Sequence, residues 1–192
     1  GLDNMLIKPR GIDRLQGKAR LIDAHTVELV NGEEKKTVTA ENIIIATGSE
    51  PAMIPAFHID RKNIITSDEA LNLQEMPEEL IIVGAGALGL EFADIFSTFG
   101  SKVTIVEMMP HVVPTLKDSE ITGAVSKYME KNRITLKCGS GIQTIQTLEN
   151  GRVCCELANG EKIEADKALV AIGRSLNTKE LNLEELGVEM TP

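Results

Sequence analysis

The feature that most constrains this chain is a glycine-rich hexapeptide, Gly84-Ala85-Gly86-Ala87-Leu88-Gly89, set between two different hydrophobic patterns. Aliphatic residues 80–83 come before it without alternation, which predicts a strand buried on both faces. After it, apolar side chains recur at the spacing of one helix face, and Gly100 is placed to end that helix. The predicted face consists of Leu88, Phe92, Ile95, Phe96 and Phe99. A G-x-G-x-x-G motif between a strand and a helix is typical of a turn that binds the phosphates of a dinucleotide.

Each glycine of this motif has a physical task in such a turn. Gly84 permits the tight change of direction, and Gly86, which lacks a Cβ, lets a pyrophosphate approach the backbone. Gly89 allows the helix to pack closely on the strand, while the first N–H groups of the helix attract the phosphates. Glu107 follows Gly84 by 23 positions and is placed to accept hydrogen bonds from the adenosine ribose. The alternative, a glycine-rich turn without a ligand, stays open at this point.

The segments after the motif predict an α/β fold. Asp118 is placed as the N-cap of a helix, whose predicted inner face is Ile121, Ala124, Val125 and Tyr128. Strands are predicted at residues 103–106, 134–136, 152–157, 162–164 and 167–172, with Asn159-Gly160 as the turn of a hairpin. The order of these elements describes an open α/β sheet with an antiparallel excursion.

The segments before the motif predict a smaller β structure. Short strands at residues 18–22, 26–30 and 36–39, with a turn signal at Asn31-Gly32, indicate an antiparallel meander. Residues 42–46 form a second continuous aliphatic run, which predicts another buried strand. Residues 67–71 predict a short helix.

Charge and hydropathy exclude several classes of protein. The 20 basic and 29 acidic residues give a net charge of −9, which repels phosphate backbones and argues against a nucleic-acid partner. The longest charge-free apolar run has 11 residues, 80–90, and is too short to span a membrane. No basic-then-apolar segment opens the chain, so a cytoplasmic protein is expected. Gly1 in place of Met predicts a piece of a longer protein.

The cysteines and histidines predict no metal site and no disulfide. Cys138, Cys154 and Cys155 are odd in number and lack C-x-x-C spacing. Adjacent residues 154 and 155 would point to opposite faces of a strand. We expect all three to be reduced packing residues of a cytosolic protein. The three histidines are expected to be unreactive.

Five motifs occur in order along the chain: IIIATGS (43–49), SDEAL (67–71), GAGALGLE (84–91), VTIVE (103–107) and AIGR (171–174). This series resembles the pyridine nucleotide–disulfide oxidoreductases, and within that family the dihydrolipoamide dehydrogenase branch is the most similar. The resemblance covers essentially the whole chain. It implies a flavoenzyme that passes electrons from dihydrolipoamide through a cysteine pair and FAD to NAD.

The resemblance also implies which residues contact the two cofactors. The NAD site would comprise Gly84, Ala85, Gly86, Ala87, Leu88, Gly89, Leu90 and Glu91, with Glu107 at the ribose. Glu91 would lie near the nicotinamide ring, or serve only as a carboxylate at a helix N-terminus. Ile142 would contact the adenine, although a core aliphatic residue would look the same, and Gly173 would lie beside the nicotinamide. On the flavin side, Ala19, Thr47, Gly48 and Ser49 match FAD contacts.

By this resemblance the chain is the middle of an enzyme. Residues 1–55 would be part of an FAD-binding domain with the meander, residues 56–76 a connector, residues 77–178 a three-layer, Rossmann-like NAD-binding domain, and residues 179–192 a return to the FAD domain. The family's C-x-x-x-x-C redox pair and His-Glu acid/base pair do not occur in this sequence. No catalytic residue is therefore predicted, and the chain alone is expected to be inactive.

The expected partners follow from the same resemblance. They are the dinucleotide cofactors, a lipoyl-bearing protein that meets the full-length enzyme, and a second copy in a homodimer formed outside this chain. Other members of the family, such as an NADH oxidase or a mercuric reductase, remain alternatives, as does a non-catalytic dinucleotide sensor.

The segment after Glu107 predicts a preference for NAD over NADP. It reads Met-Met-Pro-His-Val-Val and holds no Arg or Lys, whereas an NADP site normally supplies an arginine for the 2′-phosphate.

Overall fold

The computed structural model describes residues 11–190, and the chain divides into two compact units. Of the described residues, 11–49 and 176–190 belong to the flanking unit, and residues 50–175 form the central unit. The helices are α1 (Ser67–Ala70), α2 (Ala87–Thr98) and α3 (Ser119–Lys131), with 3-10 turns at Pro55–Phe57 and Lys179–Leu181. The strands are β1 (Lys18–Asp23), β2 (Thr26–Asn31), β3 (Glu34–Thr39), β4 (Ser49–Pro51), β5 (Ile64–Ile65), β6 (Glu79–Val83), β7 (Lys102–Glu107), β8 (Thr135–Cys138), β9 (Ile142–Thr147), β10 (Val153–Leu157), β11 (Lys162–Ala165), β12 (Lys167–Val170) and β13 (Arg174–Leu176).

The flanking unit contains an antiparallel meander in the order β1-β2-β3, which confirms the prediction for residues 18–39. Gly32 lies in the turn after β2 with a φ of +61°, a conformation that glycine adopts without strain. Leu21 is the buried residue of these three strands, and it packs with Leu181 and Leu183. The core of this unit is therefore small.

The prediction of a buried strand at residues 42–46 is wrong in this structure. These residues have no strand assignment, and Ile44 is 91% exposed. A parallel strand is stable only when neighbouring strands pair with its N–H and C=O groups. None of the described strands pairs with this segment. Ile43 is half-buried against the core of Leu21, Leu181 and Leu183, whereas Ile44 and Ile45 are exposed.

The central unit is built on a five-stranded parallel sheet in the order β5-β12-β6-β7-β8. Helices α2 and α3 connect β6 to β7 and β7 to β8. Leu80 and Ile82 of β6 pack on the helix side, whereas Ile81 and Val83 pack on the opposite side. Burial on both faces explains the unbroken aliphatic run, and the predicted strands of this sheet are confirmed.

A three-stranded antiparallel sheet, in the order β11-β10-β9, covers the face opposite the helices. The hairpin β10–β11 turns at Asn159-Gly160 as predicted, with a φ of +84° at Gly160. Strand β9 was not predicted, because its polar residues dominate and Ile145 is its one buried side chain. Helices, parallel sheet and antiparallel sheet make the three layers expected for an α/β domain.

The predicted inner face of α2 is partly wrong. Phe92 and Phe96 are buried in the helix-side core and Leu88 is half-buried, but Ile95 and Phe99 are exposed. The buried stripe includes two small residues, Gly89 and Ala93, and the predicted close packing of Gly89 on the strand is confirmed. Close approach to the sheet favours these small residues, and it rotates the two larger ones outward. Gly100 follows the helix with a φ of +101°, as predicted for a C′ glycine.

The predicted inner face of α3 is also shifted. Asp118 caps the helix as predicted, because its carboxylate accepts hydrogen bonds from the amides of Glu120 and Ile121. However, Thr122 and Met129 are the buried residues of this helix, with Val125 half-buried. The residues predicted to face the core, other than Val125, are exposed: Ile121, Ala124 and Tyr128. Thr122 can be buried because its hydroxyl donates to the carbonyl of Ser119.

None of the helices in residues 11–190 is long and apolar enough to cross a membrane.

Candidate functional site

The turn after β6 has a shape that requires glycine at two positions. Gly84 has a φ of +102°, and a Cβ there would lie 2.5 Å from the carbonyl oxygen of Ala171. At Gly89, a Cβ would overlap the carbonyl oxygen of Gly84. Any larger residue at either position would push the turn away from β12 or from helix α2.

Gly86 is the glycine that keeps space open. Its φ of −71° is available to any residue, and no heavy atom lies within 4 Å of the position that a Cβ would take. Gly86 is also the N-cap of α2, and no side chain caps this helix end. The first N–H groups of α2 have no partner within the helix, so they carry a partial positive charge toward the open space.

This turn lies at one wall of a cavity of about 900 Å³. The cavity extends across the carboxyl ends of three adjacent strands, β12, β6 and β7, which is where ligands bind in open parallel sheets. Its lining is mostly apolar, and Glu107 and Arg174 are its charged residues. The lining residues beside the turn and β7 are Val83, Gly84, Gly86, Ala87, Leu88, Val106, Glu107, Met108, Met109, Pro114 and Thr115. The other walls are formed by Ile54, Ala56, Phe57, Ser140, Gly141, Ile142, Gln143, Ala171, Ile172, Gly173 and Arg174.

Glu107 ends β7 with its side chain held in one orientation. Its Oε2 accepts a hydrogen bond from the amide of Ala85 at 2.7 Å, and its Oε1 accepts one from the amide of Met109 at 2.8 Å. The residue is 8% exposed. A carboxylate offers about four lone-pair positions, so acceptor capacity remains for a hydroxyl that enters the cavity.

The cysteines near this site are not reactive groups. Burial, and then the negative charge of Glu107, raise the pKa of the Cys138 thiol. Burial raises the pKa of Cys155 to about 12, and all three cysteines are free. The thiols of Cys138 and Cys155 therefore stay protonated at neutral pH, and a protonated thiol is a poor nucleophile. Within residues 11–190, no group of three or more His, Cys, Asp or Glu is arranged to hold a metal ion.

The structure brings together several of the predicted NAD-site residues. Seven of them line the cavity: Gly84, Gly86, Ala87, Leu88, Glu107, Ile142 and Gly173. Ala85, Gly89 and Leu90 are not among the lining residues, and Ala85 and Leu90 are buried. Glu91 is exposed on α2 outside the cavity lining.

The predicted flavin contacts belong to the flanking unit. Ala19 is half-buried in β1, and Thr47 and Gly48 are exposed. The amide of Asn177 donates to the carbonyl of Gly48 at 3.1 Å, and its side chain donates to the carbonyl of Thr47 at 3.3 Å. Ser49 begins β4 and is half-buried.

Sequence reasoning missed other residues of the cavity. Met108 and Met109 follow Glu107 directly, so their place beside the strand end could have been inferred. Gly141 lies under Met108, since a Cβ at Gly141 would be 3.6 Å from the Met108 Cγ. Ile54 and Phe57 come from the segment between β4 and β5, and no local signal marks them as part of a site formed some 30 residues later in the chain.

Comparison with known proteins identifies the class. The chain belongs to the pyridine nucleotide-disulphide oxidoreductase family, which it matches over residues 4–192. A dihydrolipoamide dehydrogenase of Chaetomium thermophilum is 40% identical over 191 residues, covering 96% of this chain and 38% of that protein. A dihydrolipoyl dehydrogenase of Geobacillus stearothermophilus is 36% identical and covers 97% of this chain and 40% of its own length.

Solved structures confirm the fold. The HOCl-induced flavoprotein disulfide reductase RclA from Escherichia coli, solved as a Cu(II) complex, has a TM-score of 0.82 at 28% identity. That alignment covers 97% of this chain and 42% of RclA. LpdA from Mycobacterium tuberculosis has a TM-score of 0.83 at 25% identity over 95% of this chain and 41% of its own. The predicted resemblance is thus confirmed: the family is one of flavin-dependent oxidoreductases, and its homologues use FAD and NAD. The chain spans about 40% of the length of these relatives.

Proposed function

We propose that this chain binds NAD(H) in the cavity at the carboxyl ends of β12, β6 and β7. It would be the dinucleotide-binding part of a dihydrolipoamide dehydrogenase. The observation that carries the proposal is the turn at Gly84–Gly89, where two glycines are required by contact and the third leaves space open at a helix N-terminus. A turn without a ligand would not need an open position at Gly86, so the shape fits a phosphate group.

The residues around the turn divide the cavity into regions of different chemistry. The N–H groups at the start of α2 would bind the pyrophosphate, and Glu107 would accept hydrogen bonds from the adenosine ribose. Met108 and Ile142 would flank the adenine, because both are apolar and line the cavity, and Gly141, the neighbour of Ile142, lies beside Met108. Ile172 and Gly173 line the cavity just after the end of β12, and this region would hold the nicotinamide. The predicted role of Glu91 at this ring stays a prediction, since Glu91 lies outside the cavity lining.

The flavin contacts and the electron path belong to the protein as a whole. Ala19, Thr47, Gly48 and Ser49 would contribute to FAD binding, and the lipoyl-bearing partner and the homodimer remain part of the proposal. When bound, NAD and FAD supply the electron chemistry, while this chain positions the nicotinamide. Because its sequence holds neither the C-x-x-x-x-C pair nor the His-Glu pair of the family, we propose that the chain alone binds dinucleotide without catalysing the reaction.

The test is to fill the open position at Gly86. In Gly86→Val the new Cβ has no heavy atom of the protein within 4 Å, and the residue needs no unusual φ, so we expect the variant to fold. The side chain would occupy the space of the phosphates, and NAD binding measured by calorimetry should be lost. Gly123→Val is the matched control, because a Cβ at Gly123 also meets nothing within 4 Å, and this glycine lies on α3, outside the cavity lining. NAD binding that survives in Gly86→Val would overturn the assignment of the turn.

A further inference from the structure

Two peptide groups flank Ala85, which lies within the glycine-rich turn, and they are held by the last residue of β7 and by the segment that follows it. The N–H of Ala85 donates to Glu107 Oε2 at 2.7 Å, and its carbonyl oxygen accepts from the amide of Val113 at 2.8 Å. Ala85 itself has no exposed surface. We refer to residues 107–113, which supply both partners, as the strap.

The strap is itself anchored. Glu107 Oε1 accepts from the amide of Met109, whose carbonyl accepts from the amide of Gly139 at 2.8 Å. Val112 is completely buried. Val113 has a φ of +47°, a conformation that a β-branched residue rarely adopts. Such a strained residue persists only where its surroundings hold it in place, so the hydrogen bond from Val113 to Ala85 is part of a defined geometry.

This arrangement has a consequence for phosphate binding. Because the N–H of Ala85 already donates to Glu107, the donors that remain for a phosphate are those at the start of α2, near Gly86 and Ala87. The N–H of Gly86 belongs to the peptide group between residues 85 and 86, whose carbonyl accepts from Val113. The peptide group before it, between residues 84 and 85, is held by Glu107, so the direction of the remaining donors depends on both contacts. A hydrogen bond to a carboxylate is roughly twice as strong as one between neutral groups. The contact from Ala85 to Glu107 is therefore the stronger of the two that hold this part of the turn.

We infer that Glu107 is a positioning residue for the phosphate-binding turn, in addition to its proposed contact with the ribose. The inference rests on the proposed function, since it concerns how the same site binds phosphates. The two roles differ in what they require of a ligand. The ribose role needs the hydroxyl groups of the adenosine sugar, whereas the positioning role acts on any ligand with a pyrophosphate.

The experiment uses two ligands that separate these roles, ADP and 2′,3′-dideoxy-ADP, which lacks both ribose hydroxyls. Each is titrated into the whole chain, with binding followed by NMR. Glu107→Ala removes both acceptors, and Glu107→Gln keeps one acceptor oxygen and tests whether a conservative side chain rescues the turn. Asp118→Ala is the matched control, because the Asp118 carboxylate also accepts two backbone amides but does so at the start of α3, outside the cavity lining.

We expect Glu107→Ala to weaken binding of dideoxy-ADP by about fivefold or more, and of ADP by a larger factor. Glu107→Gln should fall between Glu107→Ala and the unchanged protein, and Asp118→Ala should bind both ligands as the unchanged protein does. The amide resonance of Ala85 should shift upfield in Glu107→Ala without any ligand, because its charge-assisted hydrogen bond is lost.

Two results would overturn the inference, and they are distinguishable. In the first, ADP and NAD bind the unchanged protein, and dideoxy-ADP binds Glu107→Ala with the same affinity as it binds the unchanged protein. Glu107 then acts through the ribose alone, and the proposed function stands. If neither ADP nor NAD binds the unchanged protein, the proposed function fails, and the positioning role fails with it. Should Glu107→Ala not fold, as judged by circular dichroism, Glu107→Gln decides by the same comparison.

Discussion

Two aliphatic runs of this chain are each followed by a glycine. They are residues 42–46 in the flanking unit and residues 80–83 in the central unit. The second run is the middle of a parallel sheet, paired with β12 on one side and with β7 on the other. The first has no strand assignment, and its Ile44 is 91% exposed. The comparison shows that an aliphatic run favours burial but does not by itself produce it. The run becomes a buried strand only where neighbouring strands pair with it and another layer covers it.

Truncation of one isoleucine in each run should give the largest contrast. Ile82 has no exposed surface, so Ile82→Ala should lower the free energy of unfolding by roughly 2–5 kcal/mol through lost burial and a cavity. Ile44→Ala should change it by less than about 0.5 kcal/mol, because this side chain packs on little. Urea unfolding of both variants measures the difference. A loss of stability in Ile44→Ala as large as that in Ile82→Ala would show that residues 42–46 are packed in solution.

The glycine after each run gives the second contrast. Gly48 and Gly84 both have positive φ, +74° and +102°, but only Gly84 would bring a Cβ against other backbone, the carbonyl of Ala171. Gly48→Ala should cost roughly 1–2 kcal/mol from the backbone conformation alone. Gly84→Ala should cost roughly 1–3 kcal/mol more, because the clash adds overpacking. Thermal unfolding of the two variants tests this, and equal losses would contradict the close contact at Gly84.

A third prediction compares two acidic residues. Glu107 ends β7, the strand that pairs with β6, and Glu41 directly precedes residues 42–46. Glu107 can accept from both ribose hydroxyls of NAD, whereas the 2′-phosphate of NADP would bring negative charge against it. Since hydrogen bonds to charged groups are worth roughly 1.5–3 kcal/mol, we expect a preference for NAD of about tenfold or more. Calorimetry with both dinucleotides should show this ratio reduced in Glu107→Ala. In Glu41→Ala, which removes an exposed acid next to the flanking run, the ratio should be unchanged.

Equal affinity of the unchanged protein for NAD and NADP would remove Glu107 from the ribose role. This readout is independent of the turn-positioning role, because both dinucleotides contain the same pyrophosphate.

The smallest contrast is between ion pairs of the two units. Hydrogen bonds from Lys102 and then from Arg152 lower the pKa of Glu79, at the start of β6, below its ordinary value of 4.5. A carboxyl whose pKa is lower in the folded state stabilises the fold above its ordinary pKa, and this stabilisation is lost as the pH falls through the folded-state pKa. In the flanking unit, Lys18 and Glu180 form a pair whose side chains are 80% and 73% exposed.

Glu79→Gln should therefore lower the unfolding free energy at pH 7 by roughly 1 kcal/mol, because the cluster is partly exposed to solvent. The unfolding free energy should fall less at pH 3, because this pH is below the ordinary pKa of the carboxyl and part of the stabilisation is already lost there. Glu180→Gln should have little effect at either pH. Urea unfolding at the two pH values measures both, and a Glu79→Gln effect independent of pH would contradict the ion-pair origin of the stabilisation.

Local patterns predicted the central unit well. The features that were predicted correctly depend on residues close in sequence, so they can be recognised without knowledge of the fold. They are the aliphatic runs at β6, β7 and β12, the Asp118 cap and the Asn159-Gly160 turn. Strand β9 and the inner faces of α2 and α3 were harder. On α3, two faces of the helix carry residues that could pack on the sheet. The face that is buried contains Thr122, whose hydroxyl donates to the carbonyl of Ser119 in the same helix.

The amino-acid sequence by itself determined the motif at Gly84–Gly89, the acid at the end of the next strand and the alternation of strands and helices. These features depend on backbone conformation and short-range spacing, which each segment carries within itself. The tertiary structure alone decided three other matters: that residues 42–46 pair with none of the described strands, that Ile54 and Phe57 join the cavity wall, and that Glu107 and Val113 hold the two peptide groups on either side of Ala85. Each of these depends on groups that are distant in sequence and come together only through the order of the strands in the sheets. No local sequence pattern predicts that order.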